Sequence, residues 1–140
     1  MEKGLYYLAG PYKGSPEEED YRFDVSLKIT VAFIRQGISV FSPIIYSKQF
    51  AQELNIFSLE ERRKIVMDYL LIFLKASKGM ILVTMKGWEK SWGVNLELKF
   101  CQEHQIPVYL MSPDQVSENL SPLLTKPLDQ TQLHQLLEAA

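Results

Sequence analysis

The fold of this chain is decided by residues 79–97, which read GMILVTMKGWEKSWGVNLE. The first six, Gly79–Thr84, form a strongly apolar run that is typical of a buried strand, and the residues from Val94 onward have helical spacing. The polar loop between them contains Gly87 and Gly93, which let the backbone turn sharply or approach a ligand closely. A strand, a loop and a helix start in this order commonly build a small-molecule site.

Strands alternate with helices on both sides of this stretch. Short apolar runs predict the strands, and helically spaced apolar residues predict the helices, two of which begin with capping boxes at Ser15 and Ser58. The predicted strands are Leu5–Ala9, Ile38–Phe41, Met80–Thr84 and Ile106–Leu110, and the predicted helices are Pro16–Gln36, Ser58–Ala76, Val94–His104 and Thr131–Ala139. This alternation predicts an α/β fold with a mostly parallel sheet of four to five strands.

Apolar stripes predict which face two of the helices bury. The stripe of the first helix comprises Val25, Ile29, Ala32 and Phe33, and that of the second comprises Ile65, Tyr69, Ile72, Phe73 and Ala76. Asp68 lies three residues after Ile65 and four before Ile72, so we expect it at the border of the buried stripe. The looser segment 44–57 is expected to be partly helical.

Composition excludes several classes of protein. A chain of 140 residues with 46% hydrophobic residues predicts one globular domain, residues 1–140. The net charge is −2 with acids and bases interspersed, which favours neither nucleic acid nor an anionic membrane as a partner. The one cysteine, Cys101, cannot form an internal disulfide, and the two histidines, His104 and His134, have no zinc spacing. No signal peptide or membrane-spanning run is visible, so we expect a cytoplasmic protein without a metal.

The loops that follow parallel strands emerge at the same edge of a sheet. We therefore expect Tyr7, Gly10, Lys13, Ser91 and Glu97 to lie near one another. The loop after the first strand lacks both the three-glycine dinucleotide pattern and the Gly-Lys-Ser/Thr of a P-loop, so no nucleotide cofactor is expected. A smaller phosphate could bind at the helix start beside Lys13, although a plain turn with a solvated lysine explains the same residues.

Two acids adjoin apolar positions. Glu97 lies three residues after Val94 and three before Phe100, and Asp68 adjoins the stripe of its own helix. A carboxylate in such a place must be paired, hydrogen-bonded or functional. An oriented carboxylate can attack an anomeric carbon and form a covalent glycosyl-enzyme, with a second acid assisting the leaving group. Taken on spacing alone, the favoured interpretation is that both acids are residues at the edge of the core with local partners, because two acids from different helices are weak evidence of a site.

Four sets of residues occur together in an order that resembles the nucleoside 2-deoxyribosyltransferase superfamily. They are Tyr7-Leu8-Ala9-Gly10-Pro11-Tyr12, Phe41-Ser42-Pro43-Ile44, Asp68, and Gly87-Trp88 with Ser91-Trp92-Gly93-Val94-Asn95-Leu96-Glu97. The resemblance covers roughly residues 5 to 111. It implies a flavodoxin-like three-layer sandwich and cleavage of the N-glycosidic bond of a 2′-deoxynucleoside or its 5′-monophosphate.

The resemblance also implies roles for individual residues. Glu97 would be the nucleophile, Tyr7 would position it, and Asp68 would act near the base and leaving group. The implied substrate-binding residues are Gly10, Pro11, Lys13, Trp88, Ser91, Gly93 and Ser121. The serine at Ser91 resembles the branch that hydrolyses deoxynucleotides, in which it helps to hold the 5′-phosphate.

The same branch takes a serine from a neighbouring subunit, and Ser121 lies at a comparable place, so a homo-oligomer is expected. Deoxynucleotide hydrolysis is thus the favoured function, and base exchange between nucleosides and a non-catalytic nucleotide-binding module remain as alternatives. Trp88 and Trp92 could stack on a base or simply pack over the edge of the sheet.

Overall fold

All four predicted strands form, and they pair into one parallel sheet. The computed structural model describes residues 4–139, apart from the side chain of Ala139, so the ends of the predicted domain 1–140 lie outside the described residues. The strands are β1 (Leu5–Ala9), β2 (Ser39–Phe41), β3 (Gly79–Val83) and β4 (Val108–Met111). Their order is β2-β1-β3-β4, and each neighbouring pair is parallel.

Helices cover both faces of this sheet. They are α1 (Pro16–Arg35), α2 (Pro43–Lys48), α3 (Leu59–Lys75), α4 (Trp92–His104) and α5 (Gln130–Ala139). Successive strand residues point to opposite faces. Leu8 therefore packs with Ile29 and Phe33 of α1, whereas Tyr7 packs on the other face with Leu74 of α3 and Leu98 of α4. The predicted α/β fold, a flavodoxin-like three-layer sandwich with a parallel sheet, is confirmed.

The ends of the first helix form as the sequence predicts. The hydroxyl of Ser15 accepts a hydrogen bond from the amide of Glu18 at 3.2 Å, and the carboxylate of Glu18 accepts one from the amide of Ser15 at 2.9 Å. This reciprocal box satisfies two donors that a helix start otherwise leaves without partners. Gly37 follows the helix with a φ of 72°, the left-handed conformation that favours glycine. These local signals position α1 directly after the loop that leaves β1.

The predicted buried stripe of α3 is wrong. Met67, Leu70 and Leu74 are buried, whereas Ile65 is 42% exposed and Ile72 is 67% exposed. Both sets have helical spacing, because this helix carries apolar residues on more than one face. Packing of α3 on the sheet buries the face that includes Leu74, which contacts the core on the side of β1 and β3 that α3 covers.

This rotation of α3 moves Asp68 away from the core. Its side chain is 63% exposed, and its carboxylate pairs with the ammonium group of Lys64 at 2.9 Å. Asp68 therefore does not border a buried stripe, as its spacing from Ile65 had predicted. The exposed position explains how the acid is tolerated, since a solvated carboxylate beside a lysine carries no burial penalty.

The strand order places a crevice at one edge of the sheet. The chain passes from β1 to β2 on one side of the sheet. It then crosses back over β1 to β3 on the other side, so the strand order switches direction between β1 and β3. The segment that follows β2 contains α2 and a 3₁₀ helix, Ala51–Ile56, which confirms that residues 44–57 are partly helical. Ligands of parallel α/β folds bind outside the carboxyl ends of the strands at such a switch point. Within residues 4–139, no helix has both the length and the apolar character needed to cross a membrane.

Candidate active site

A cleft of about 340 Å³ opens where the strand order switches. Gly10, in the loop after β1, and Ser91 with Gly93, at the start of α4, form the part nearest the sheet. The opposite wall comes from α2, the 3₁₀ helix Ala51–Ile56 and the first half of α3. This volume is in the usual range for a site that binds a small molecule.

Glu97 and Tyr7 form a buried pair beside the cleft. Ser91 caps α4 by accepting a hydrogen bond from the amide of Val94 at 3.3 Å, which fixes the helix start and places Glu97 in its second turn. Glu97 lines the cleft but is only 4% exposed. The hydroxyl of Tyr7, which is fully buried on β1, donates a short hydrogen bond to Oε2 of Glu97. The carboxyl group is thus held in a fixed orientation by a rigid strand.

Burial changes the ionisation of both partners. It raises the pKa of Glu97 from its ordinary value of 4.5 to about 7, and the hydrogen bond from Tyr7 offsets part of that rise. Burial, followed by the charge of Glu97, raises the pKa of Tyr7 well above its ordinary value. Tyr7 therefore remains a hydrogen-bond donor at neutral pH, while Glu97 changes between its acid and carboxylate forms. A carboxylate with these properties can act as a nucleophile or a general base.

Among residues 4–139, the charged residues that line the cleft are four basic side chains and one acid. Lys13, Arg62, Arg63 and Lys90 all line the cleft, and Glu97 is the one carboxylate among the lining residues that the structure describes. The guanidinium of Arg63 lies 5.2 Å from the centre of the Trp92 ring, a cation–π contact beside the start of α4. The cleft therefore has the charge and the donors that recognise an anionic ligand.

Arg62 is held at one end only. Its Nη1 donates to Oδ1 of Asn55 at 3.0 Å, whereas its buried Nε has no acceptor within residues 4–139. A buried guanidinium donor without a partner is costly, and arginine cannot lose its charge to relieve that cost.

The remaining wall of the cleft is apolar. Its side chains come from the segment between β2 and α3 and from the inner face of α3, and include Phe50, Leu54, Leu59, Val66, Met67 and Leu70. A surface of this kind accommodates a flat group with apolar faces. The cleft thus combines an anion-binding set, a buried carboxyl group and an apolar wall.

Arg22 connects the two loops on either side of the switch point. This α1 residue is 7% exposed, and its guanidinium donates to the carbonyl oxygens of Tyr12 and Lys13 in the loop after β1. The same group donates to the carbonyl oxygen of Lys86 in the loop after β3, at 3.0 Å. These contacts, with an ion pair to Glu18 in which Nη2 and Oε2 are 3.7 Å apart, satisfy the buried charge.

The structure brings most of the predicted site residues together. Gly10, Lys13, Ser91, Gly93 and Glu97 line the cleft, and Tyr7 contacts Glu97 from β1. At Gly10 an added Cβ would lie 2.8 Å from Cε of Met85, so a larger residue would crowd the floor beneath the cleft.

Four other predicted residues do not line the cleft of the described chain. Pro11 is buried beside the first loop, and Trp88 packs against the core on the α4 side of the sheet. Ser121 begins a 3₁₀ helix beyond β4, and Asp68 points to solvent on α3. Their implied roles towards a ligand therefore find no support from this cleft, and a contribution of Ser121 to a neighbouring subunit stays a prediction.

Sequence reasoning missed the basic residues of α1 and α3. Arg22 shares its face of α1 with Ser26, Ile29 and Phe33, so its spacing from two buried apolar residues was an available signal. Arg62 and Arg63 follow the capped start of α3, where charged residues are expected to be solvated. Their place in the cleft depends on the rotation of α3, which its sequence left open.

Comparison with known proteins gives a family but no activity. Residues 4–113 match a family described as a domain of unknown function, DUF1937. No curated protein matches the chain significantly. The matched region runs from β1 to the end of β4, so it contains every residue that lines the cleft, whereas Ser121 lies outside it.

Proposed function

The chain belongs to the DUF1937 family, and we propose that it cleaves the N-glycosidic bond of 2′-deoxynucleoside 5′-monophosphates through a covalent glycosyl-enzyme. The observation that carries this proposal is the buried carboxyl group of Glu97, hydrogen-bonded by Tyr7 and lining a cleft whose other charged residues are cations. The reaction and the substrate class come from the resemblance of the sequence motifs to nucleoside 2-deoxyribosyltransferases.

Glu97 is suited to attack an anomeric carbon. Its Oε2 is occupied by the hydroxyl of Tyr7, which leaves Oε1 as the attacking atom. As the bond from Oε1 to C1′ forms, the bond from C1′ to the base nitrogen breaks, and its electron pair leaves with the base, which takes a proton from water. Water then attacks C1′, and the carboxylate of Glu97 is released.

The cations support a phosphorylated substrate. Lys13 and Lys90 come from the loops after β1 and β3, next to Ser91, and Arg63 faces them from α3. A phosphate group accepts several charge-assisted hydrogen bonds from such side chains, and a neutral nucleoside has no anionic group to pair with them. The apolar wall on α3 and the 3₁₀ helix would hold the base.

The test is incubation of the protein with each of the four deoxynucleoside 5′-monophosphates, with free base measured by chromatography. We expect release of base by the wild-type chain and none by a Glu97→Ala variant. Glu103, which is exposed on the same helix, provides a matched control, since Glu103→Ala should retain the activity. Release that persists in the Glu97→Ala variant would refute the assignment of the nucleophile. Binding without turnover would leave a nucleotide-binding module.

Base exchange is a second candidate, and the apolar wall is the observation that favours it. A base that stays against Phe50 and Leu54 after bond cleavage excludes water from the intermediate, so a different base could replace it and accept the sugar. The same assay distinguishes the two reactions when a second free base is added. A new deoxynucleotide or deoxynucleoside indicates exchange, and free deoxyribose 5-phosphate indicates hydrolysis.

A further inference from the structure

We propose that Arg22 is a positioning residue that sets the spacing between the two phosphate-binding loops of the site. The proposal rests on the proposed function for the identity of the ligand, but its structural part stands on the contacts of Arg22 alone. A guanidinium is a rigid, planar fork with five donors, so it can hold several acceptors at fixed mutual distances.

The contacts of Arg22 connect two segments that are far apart in sequence. Its Nη1 lies 2.8 Å from the carbonyl oxygen of Lys13 and 3.2 Å from that of Tyr12. Its Nη2 lies 3.0 Å from the carbonyl oxygen of Lys86. One guanidinium therefore joins the loop after β1 to the loop after β3, across the point where the strand order switches. Within residues 4–139, no hydrogen bond joins the backbones of these two loops directly.

Both loops leave room for this guanidinium by means of glycine. An added Cβ at Gly14 would lie 2.7 Å from Oε1 of Glu18 and 2.9 Å from Nη1 of Arg22, and one at Gly87 would lie 3.0 Å from Nη2. Gly87 also has a φ of 89°, but Gly14 does not have a positive φ, so its lack of a side chain is explained by space and not by backbone conformation. The fit of Arg22 between two glycines indicates a specific arrangement of the loops and not an incidental contact.

The joined loops carry the groups that would bind phosphate. The carbonyl oxygen of Lys13 accepts a hydrogen bond from Arg22, Lys13 also lines the cleft, and Lys86 lies five residues before Ser91. A change in the spacing of the loops would therefore change the distance between Lys13 and Ser91. Glu97 and Tyr7 would keep their positions, because they are held by α4 and β1.

The first test is hydrogen exchange of an Arg22→Met variant, which keeps the length of the side chain and removes all its donors. We expect the amides of Gly14, Ser15 and Trp88, which donate hydrogen bonds within the two loops, to exchange at least about tenfold faster while the strands stay protected, because each loop loses its hydrogen bonds to Arg22. Arg35→Met, an exposed position on the same helix, is the matched control and should change neither loop. Unchanged exchange in either loop would overturn the proposal.

The second test measures phosphate recognition without catalysis. Affinities for a deoxynucleoside 5′-monophosphate and for the same deoxynucleoside are measured by calorimetry in a Glu97→Gln background. We expect Arg22→Met to reduce the preference for the phosphorylated ligand by about tenfold, with partial rescue by Arg22→Lys, because lysine keeps the charge and some of the donors. An unchanged preference in a folded Arg22→Met protein would overturn the positioning role.

Two further experimental outcomes distinguish a failure of the Arg22 proposal from a failure of the proposed function. If Arg22→Met does not fold, Arg22→Lys should increase hydrogen exchange in both loops to a smaller extent, because a single ammonium group cannot hold the acceptors of both loops in the geometry of the guanidinium. If the wild-type chain binds no deoxynucleotide and releases no base, the proposed function fails, but the exchange experiment still decides whether Arg22 joins the loops.

Discussion

Replacing Glu97 with glutamine should remove a pH dependence of folding stability that the wild-type chain has. Burial raises the pKa of Glu97 from an ordinary value of 4.5 to about 7. A carboxyl group that binds its proton more tightly when folded stabilises the fold most while it is protonated in both states, below about pH 4.5. That contribution is lost as the pH rises from about 4.5 through about 7, and the loss amounts to about 3 kcal/mol.

The assay is chemical denaturation at pH values from 4 to 9 for the wild type, Glu97→Gln and Glu103→Gln. Glutamine keeps the shape of the side chain, and its carbonyl oxygen can accept the hydrogen bond from Tyr7. We expect the free energy of unfolding of the wild type to fall relative to that of Glu97→Gln as the pH rises from about 4.5 through about 7. Above that window, the curves of unfolding free energy against pH should be parallel for the two proteins. Glu103 is exposed on α4, so its substitution should follow the wild type. A constant difference between the wild type and Glu97→Gln would show that burial does not govern this carboxyl group.

Three kinetic predictions follow from the same site. Tyr7→Phe removes the hydrogen bond that lowers the pKa of Glu97. The rise of kcat/KM with pH should therefore move to higher pH, and the rate at pH 7 should fall at least about tenfold. An unaltered pH profile of kcat/KM would contradict the role of Tyr7 in tuning Glu97. Lys90→Ala should lower kcat/KM for a deoxynucleotide by up to about fivefold, and by less at high salt, because an exposed cation contributes little to binding an anion. An equal loss with Lys99→Ala, a lysine outside the cleft, would count against a specific contact of Lys90. Asp68→Ala should change cleavage by no more than about twofold, because its carboxylate is solvated; a loss above tenfold would restore the role that the sequence resemblance implies.

The sequence was informative wherever a local signal fixes a structure. The box between Ser15 and Glu18 starts α1, and Gly37 ends it, because both depend on a few adjacent residues. The parallel sheet followed from alternating strands and helices, and it placed Gly10 and Glu97 on one cleft without any coordinates. Chain order alone is enough for this, since strands joined by helical crossovers align their carboxyl ends.

The sequence was misleading where two faces of one helix compete. In α3, the sets that contain Ile65 and Leu70 both have helical spacing, and only packing on the sheet decides between them. That decision also controls where Asp68 and Arg62 point, so one ambiguous stripe altered two site assignments. Arg22 was missed for a different reason. Its carbonyl partners lie up to 64 residues away in the chain, and no local pattern reports such a contact.

The two sides of the cleft differ in how freely they can evolve. The side that carries Glu97 and Tyr7 depends on buried residues of β1 and α4, where substitutions disturb packing. The opposite side includes the 3₁₀ helix Ala51–Ile56, which has no buried residue, so mutations there carry little penalty for folding. Relatives could therefore diversify the molecules they accept by altering this short segment alone, while inheriting an unchanged reaction centre. In such a chain, the residues around Glu97 and the residues that select the ligand can change independently.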